Sequence, residues 1–146
     1  MRPLRWPRLW LGLWCAAVLG VIVLSLVPPP PMATQMPRDS DKLLHFSAYF
    51  VLAFSAMQLF ASLRTRWIVA IGLVALGLAL EWAQGVLVPE ARSADALDGL
   101  ANALGVLAGL SLGATGAALW LLRLESRLAA CLARRGSIAG VSPPGP

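Results

Sequence analysis

Three short stretches hold most of the side chains in this chain that could do chemistry. "DKLLHFSAYF" (41–50) places Asp41, His45 and Tyr49 at i, i+4 and i+8, with Lys42 beside the first. "EWAQ" (81–84) places Glu81 and Gln84 at i and i+3, and "RSADALDGLANALG" (92–105) places Asp95, Asp98 and Asn102 at i, i+3 and i+7 behind Arg92. On a helix each of these sets lies along one face. His45 is the single histidine, and Glu81 or Asp98 paired with it would supply a general acid or base. These three are the candidate catalytic residues. Lys42 and Arg92 suit an anionic group such as a phosphate or carboxylate. With Asp41, Tyr49, Gln84, Asp95 and Asn102 they make the candidate ligand-binding set. Asp41, His45, Glu81 and Asp98 could also serve as metal donors, but their spacing is diagnostic of no ligand set, so the sequence assigns neither a metal nor a cofactor. There is no activated Ser or Cys: Ser47 falls on the far side of its helix from His45, and Cys15 sits in another apolar run.

The elements that must position these residues are apolar. Of 146 residues, 58% are hydrophobic and 13% charged, with mean hydropathy +0.73. A soluble domain carries about a quarter charged residues, so a soluble enzyme is excluded and a membrane protein is expected. Four apolar runs, at about 9–27, 43–63, 67–88 and 97–122, each approach the ~20 residues that span a bilayer as helix. Helices are the expected form because lipid offers backbone groups no partner, and no alternating strand pattern is present. The fold class is therefore all-α, a four-helix polytopic membrane bundle over residues 1–122. A cytoplasmic tail, 123–146, would be amphipathic at its start and then disordered. "PPPPM" (28–32) is not a cleavage site, and the first run is longer than a signal peptide's, so it is expected to be retained. "RTR" (64–66) reads as the turn between the second and third helices, and "PEARSAD" (89–95) links the third and fourth.

Arginines set the orientation. With both termini inside, nine basic residues (Arg2, Arg5, Arg8, Arg64, Arg66, Arg123, Arg127, Arg134, Arg135) lie on the cytoplasmic side and three (Arg38, Lys42, Arg92) outside. The +5 charge is thus a topology signal, split among termini and a turn, and does not indicate nucleic acid. Cys15 and Cys131 fall on separate elements and are not expected to pair. The polar faces of helices two, three and four then share one depth near the outer surface, and convergence into one outward-facing pocket is expected. "GVLAGLSLG" is a small-xxx-small stripe, so Gly105, Gly109 and Gly113 read as a close helix-packing face, with Gly77 serving helix three and an oligomer through glycine faces open. The first helix should pack outside, facing lipid. Plainer roles compete for single residues. Ser40 and Asp41 suit an N-cap, Asp98 favours a helix N-terminus, Lys42 can snorkel, and Tyr49 or Trp82 can anchor at the interface. Glu81, near a helix C-terminus where the dipole disfavours an anion, needs a partner from Arg92, Lys42 or His45.

Taken together the three stretches resemble the VanZ-like membrane proteins. "DKLLHFSAYF" is similar to their D-K-x-x-H-x-x-x-[FY], "EWAQ" to their E-x-x-Q, and "RSADALDGLANALG" to their R-x-x-D-x-x-D-x-x-x-N-x-x-G. The match runs from residue 41 to about 110. The resemblance implies that Asp41, Lys42, His45, Glu81, Gln84, Arg92, Asp95, Asp98, Asn102 and Gly105 are family positions. It also implies a multi-pass protein of the bacterial cytoplasmic (inner) membrane. The family's namesake is associated with teicoplanin resistance, and most members are uncharacterised envelope proteins.

Two kinds of function fit. One is binding or modification of a membrane lipid, a lipid-linked envelope precursor or a lipoglycopeptide, by a charged pocket at head-group depth. The other is a non-catalytic structural or partner-binding protein whose ion pairs hold the bundle. Whether the chain is an enzyme is not decided by these residues. A proton-coupled carrier fits poorly, since there is no internal repeat and no broken helix.

Overall fold

The computed structural model describes residues 1–27, 40–87 and 95–139, apart from the side chains of 87, 118 and 133–139. The described chain is all-helical: α1 is Pro7–Leu26, α2 Ser40–Leu59, α3 Leu63–Leu87, α4 Ala96–Gly113 and α5 Trp120–Ala139, with a 3₁₀ turn at Gly116–Leu119. Four helices, α1 to α4, are long and apolar enough to cross a membrane. Leu24, Leu63, Ile71 and Trp82 are among many large apolar side chains left exposed, an apolar outer surface of the kind that contacts lipid or another protein.

Helix ends follow local chemistry more than hydropathy. α1 begins at Pro7, since proline in a first turn sacrifices no hydrogen bond. α2 begins at Ser40, ahead of its apolar run, with Asp41 in the first turn where the dipole favours an anion. Its end corrects the expected turn. Residues 60–62 connect α2 to α3, while Arg64 and Arg66 lie inside α3. Arg66 reaches back, its Nε donating to the Phe60 carbonyl at 2.8 Å, so "RTR" closes the preceding helix instead of making the turn.

The larger correction concerns the fourth run. Residues 97–122 are not one helix. α4 stops at Gly113, and the Thr115 hydroxyl accepts the Ala117 N–H at 3.2 Å, starting the 3₁₀ turn. Thr115, between Gly113 and Gly116, offers the backbone a local alternative to the α ladder. α5 then starts at Trp120, ahead of the expected tail, and continues to Ala139 through part of the stretch expected to be disordered; residues 140–146 lie outside the described residues.

α4 packs most closely against α2. An added Cβ at Gly105 would meet the Phe46 carbonyl oxygen. One at Gly109 would sit 2.6 Å from the Phe50 oxygen, and one at Gly113 2.5 Å from Met57 Cβ. The glycine stripe is thus covered by this chain's own α2 and presents no free face to a second copy. Beside this seam Tyr49, Leu52, Ala53, Ala70, Leu73 and Val106 form the core. α1 buries no residue and lies on the outside, held by Trp14 Nε1 donating to the Leu52 carbonyl at 3.0 Å.

The end of the bundle that holds the start of α1 and the end of α2 is tied by α5. Glu125 Oε2 accepts the Arg5 N–H at 2.6 Å, and its Oε1 accepts the Trp6 N–H at 3.1 Å and the Trp10 indole N–H at 2.7 Å. Trp6 is the N-cap of α1 and has no cap of its own, so a carboxylate 119 residues away in sequence caps that helix. Gln58 joins α2 to the 3₁₀ turn and α5, donating to the Ala117 carbonyl and accepting the Leu121 N–H. With this end closed, the polar faces of α2, α3 and α4 are left at the other.

Candidate functional site

At that other end the first turns of α2, the last turns of α3 and the N-terminus of α4 meet. Asp95 caps α4, its Oδ1 accepting the Leu97 N–H at 2.8 Å, while its Oδ2 pairs with Lys42 Nζ at 3.2 Å. The Leu97 N–H and the Lys42 ammonium together hold the Asp95 carboxyl below its ordinary range. Lys42 also lies 3.9 Å from Asp98 Oδ1. His45 is the hub. Its Nδ1 is 3.1 Å from Asn102 Oδ1 and 3.5 Å from Glu81 Oε1, and its Nε2 is 3.8 Å from Asp41 Oδ1. Donor atoms of Asp41, His45 and Asp98 lie within 4.8 Å of one another. All three candidate catalytic residues are therefore together, on three different helices.

The cluster has an open edge and a closed interior. Asp41 and Lys42 side chains are 55% and 34% exposed, whereas His45, Glu81 and Asp98 are 11%, 9% and 9% exposed. Inside, among the described residues, both Glu81 carboxylate oxygens and Asp98 Oδ1 are buried without a hydrogen-bond partner; the Asp95 N–H lies toward Glu81 but outside hydrogen-bond geometry. Buried polar atoms without partners are uncommon and call for a reason, such as an absent ligand or a functional role. Gly77 makes part of the arrangement sterically feasible. A Cβ there would lie 3.0 Å from Asn102 Nδ2, so the glycine gives Asn102 the room from which it holds His45.

Two residues expected in the pocket are engaged elsewhere. Gln84 donates to the Ser25 carbonyl at 2.8 Å, fastening α3 to the end of α1. Three residues on a helix is a rotation of about 300°, which turns Gln84 some 60° from Glu81 and toward α1. Tyr49 is two turns deeper than Asp41 and belongs to the core, its hydroxyl buried without a partner among the described residues. Because an unsatisfied buried hydroxyl is unfavourable by about 1–3 kcal/mol, Tyr49→Phe is expected to raise thermal stability. A melting temperature that falls clearly in Tyr49→Phe would contradict this placement. Asp95 serves mainly as the cap, and Arg92 lies outside the described residues.

Sequence reasoning missed the opposite end. Glu125, in "RLESR", is the lone acid among the tail arginines. That isolation was its only signal, because its three donors come from the other terminus. A cavity of about 200 Å³ also lies toward that end, lined mostly by apolar groups including Trp10, Trp14, Val51 and Trp120, and it is separate from the polar cluster. Cys15 and Cys131 are free and exposed.

No family model matches the chain, and no curated protein or solved structure matches it.

Proposed function

We propose that this chain is a VanZ-like protein of the bacterial cytoplasmic membrane whose outward-facing polar cluster binds or acts on the head group of a lipid-linked envelope molecule or a lipoglycopeptide. The observation that carries this reading is the meeting of Asp41, Lys42, His45, Glu81, Asp98 and Asn102 from three helices at one end of a bundle with apolar walls. Ionisable groups at membrane depth are rare and default to function. Lys42 at the edge suits an anionic head group, and His45 with the carboxylates behind it suits proton transfer. The arginine distribution supports the orientation, with both termini cytoplasmic and the cluster outside.

A second reading has its own support. Lys42–Asp95 and His45–Asn102 both tie α2 to α4, which is what a purely structural network holding the bundle would do. One experiment separates the two. Wild type, Glu81→Gln and His45→Ala are expressed at matched membrane levels in a Gram-positive host, and teicoplanin susceptibility is measured. Protection by wild type, lost in both variants, is the expected result. No protection by wild type removes the teicoplanin link. Protection retained by folded variants assigns the cluster to structure.

A further inference from the structure

The cluster contains an excess of acceptors converging on one point. Nδ1 of His45 faces two oxygens, Asn102 Oδ1 and Glu81 Oε1, so that nitrogen carries the ring proton. In the neutral ring the Nε2 lone pair then points toward Asp41, 3.8 Å away. Asp98 completes a group of three whose donor atoms all lie within 4.8 Å of one another. Its side chain is more than nine-tenths buried, and among the described residues its Oδ1 has no hydrogen bond. An imidazole lone pair and two carboxylates facing one another repel unless something positive lies between them. Among the described residues Lys42 is the one fixed cation at the cluster; it sits 3.2 Å from a further carboxylate, Asp95, and 3.9 Å from Asp98 Oδ1. With Glu81 the described residues place four carboxylates here against one lysine.

We infer that Asp41, His45 through Nε2, and Asp98 hold a divalent first-row cation, with Asn102 and Glu81 behind His45 fixing its orientation. This is the usual division of labour around a metal-bound histidine, in which the ring nitrogen away from the metal donates to an oxygen that sets tautomer and angle. Two carboxylates and one imidazole are a mixed hard and borderline donor set, suited to Zn²⁺ or Mn²⁺. Ligands about 2.1 Å from a tetrahedral ion lie about 3.4 Å apart, so separations of up to 4.8 Å must contract by up to about 1.4 Å. Asp41, on the exposed edge of α2, is the side chain free to do so. Three protein donors leave a coordination position on the open side, for water or for an anionic oxygen of a ligand. The inference holds whatever that ligand is, and so stands apart from the envelope reading. Spacing alone could not reveal it, because the three donors come from two helices and only the pair Asp41 and His45 has a fixed sequence relation.

The test uses the full-length chain in detergent, with Cys15→Ser and Cys131→Ser so that thiols hold no zinc. The protein is stripped with chelator and then dialysed against limiting Mn²⁺ or Zn²⁺. Mn²⁺ is counted by electron paramagnetic resonance and Zn²⁺ by elemental analysis. About one ion of either kind should stay with each chain, with affinity falling at least about tenfold in Asp98→Asn and in Asp41→Asn, as loss of a ligand requires. Asp41→Asn is the safeguard: an exposed residue whose replacement leaves the fold intact, as judged by unchanged helical circular dichroism and elution volume. Failure of wild type to retain either ion overturns the inference. So does retention by folded Asp41→Asn and Asp98→Asn equal to that of wild type.

Discussion

Gly105→Ala is expected to destabilise the protein by about 3 kcal/mol or to prevent its recovery in folded form, the upper part of the range for overpacking. The new methyl would land on the Phe46 carbonyl oxygen and 3.0 Å from the Phe50 nitrogen. Both are backbone atoms of α2, so no rotamer change relieves the clash and the two helices must part. Parting them also pulls His45 from Asn102 and Lys42 from Asp95, which bridge the same pair of helices. Gly113→Ala should also be costly, because its new methyl would sit 2.5 Å from Met57 Cβ, which no rotamer moves, but milder than Gly105→Ala because Gly113 is the last residue of α4, where the helix end can shift. Gly72→Ala is the control. Nothing lies within 4 Å of a Cβ at that position, and alanine improves helix propensity by about 1 kcal/mol. Thermal unfolding in detergent, followed by circular dichroism, should order the variants Gly72→Ala above wild type, then Gly113→Ala, then Gly105→Ala. If Gly105→Ala melts with Gly72→Ala, the α2–α4 seam is not where it is described.

Glu125→Ala is the second large loss, about 2–4 kcal/mol. It strands the Arg5 and Trp6 amides and the Trp10 indole N–H, all three of which donate to this carboxylate; hydrogen bonds to a charged group contribute about 1.5–3 kcal/mol each and do not simply add. Glu125→Gln, which keeps one carbonyl acceptor, should fall between. Burial pushes the Glu125 pKa up, but the Arg5 N–H, the Trp10 indole and the Trp6 N–H outweigh it and hold the carboxyl below its ordinary value. A pKa depressed by folding means the stabilisation is present above the unfolded value of about 4.3 and is lost as pH falls through the lower folded value. The stability gap between wild type and Glu125→Gln should therefore be constant near neutrality and shrink below about pH 4. A gap that widens on acidification would show that the carboxylate is not bound as described. Protease nicking ahead of α1 should increase in the same variants, since the first turn of that helix is what Glu125 holds.

Much of the architecture was legible because it follows from short-range rules. Four apolar runs of bilayer length can only be helices when the backbone must satisfy itself. Period 3.6 put Asp41 and His45, and separately Asp95, Asp98 and Asn102, on single faces. The glycine stripe was legible as a close-packing face, but not its partner, which proved to be α2 of the same chain. Helix ends were less legible. Thr115 breaking the fourth run and Arg66 sealing α2 are single hydrogen bonds against a hydropathy signal averaged over many residues.

The sequence by itself determined that the chain is apolar and helical, and which residues share a polar face on each helix. Only the tertiary structure decided which groups meet. Gln84 went to Ser25 and Tyr49 to the core, because helix rotation is set by packing against neighbours that no local pattern encodes. Asp41, His45 and Asp98 converged, with Asp98 Oδ1 left without a hydrogen-bond partner among the described residues, and Glu125 found the start of α1. Spacing along one helix fixes angles within that helix alone. The angle between helices is set by the seam, here Gly105 and Gly109, which let α4 lie against the backbone of α2, and Gly113, which lies against the Met57 side chain.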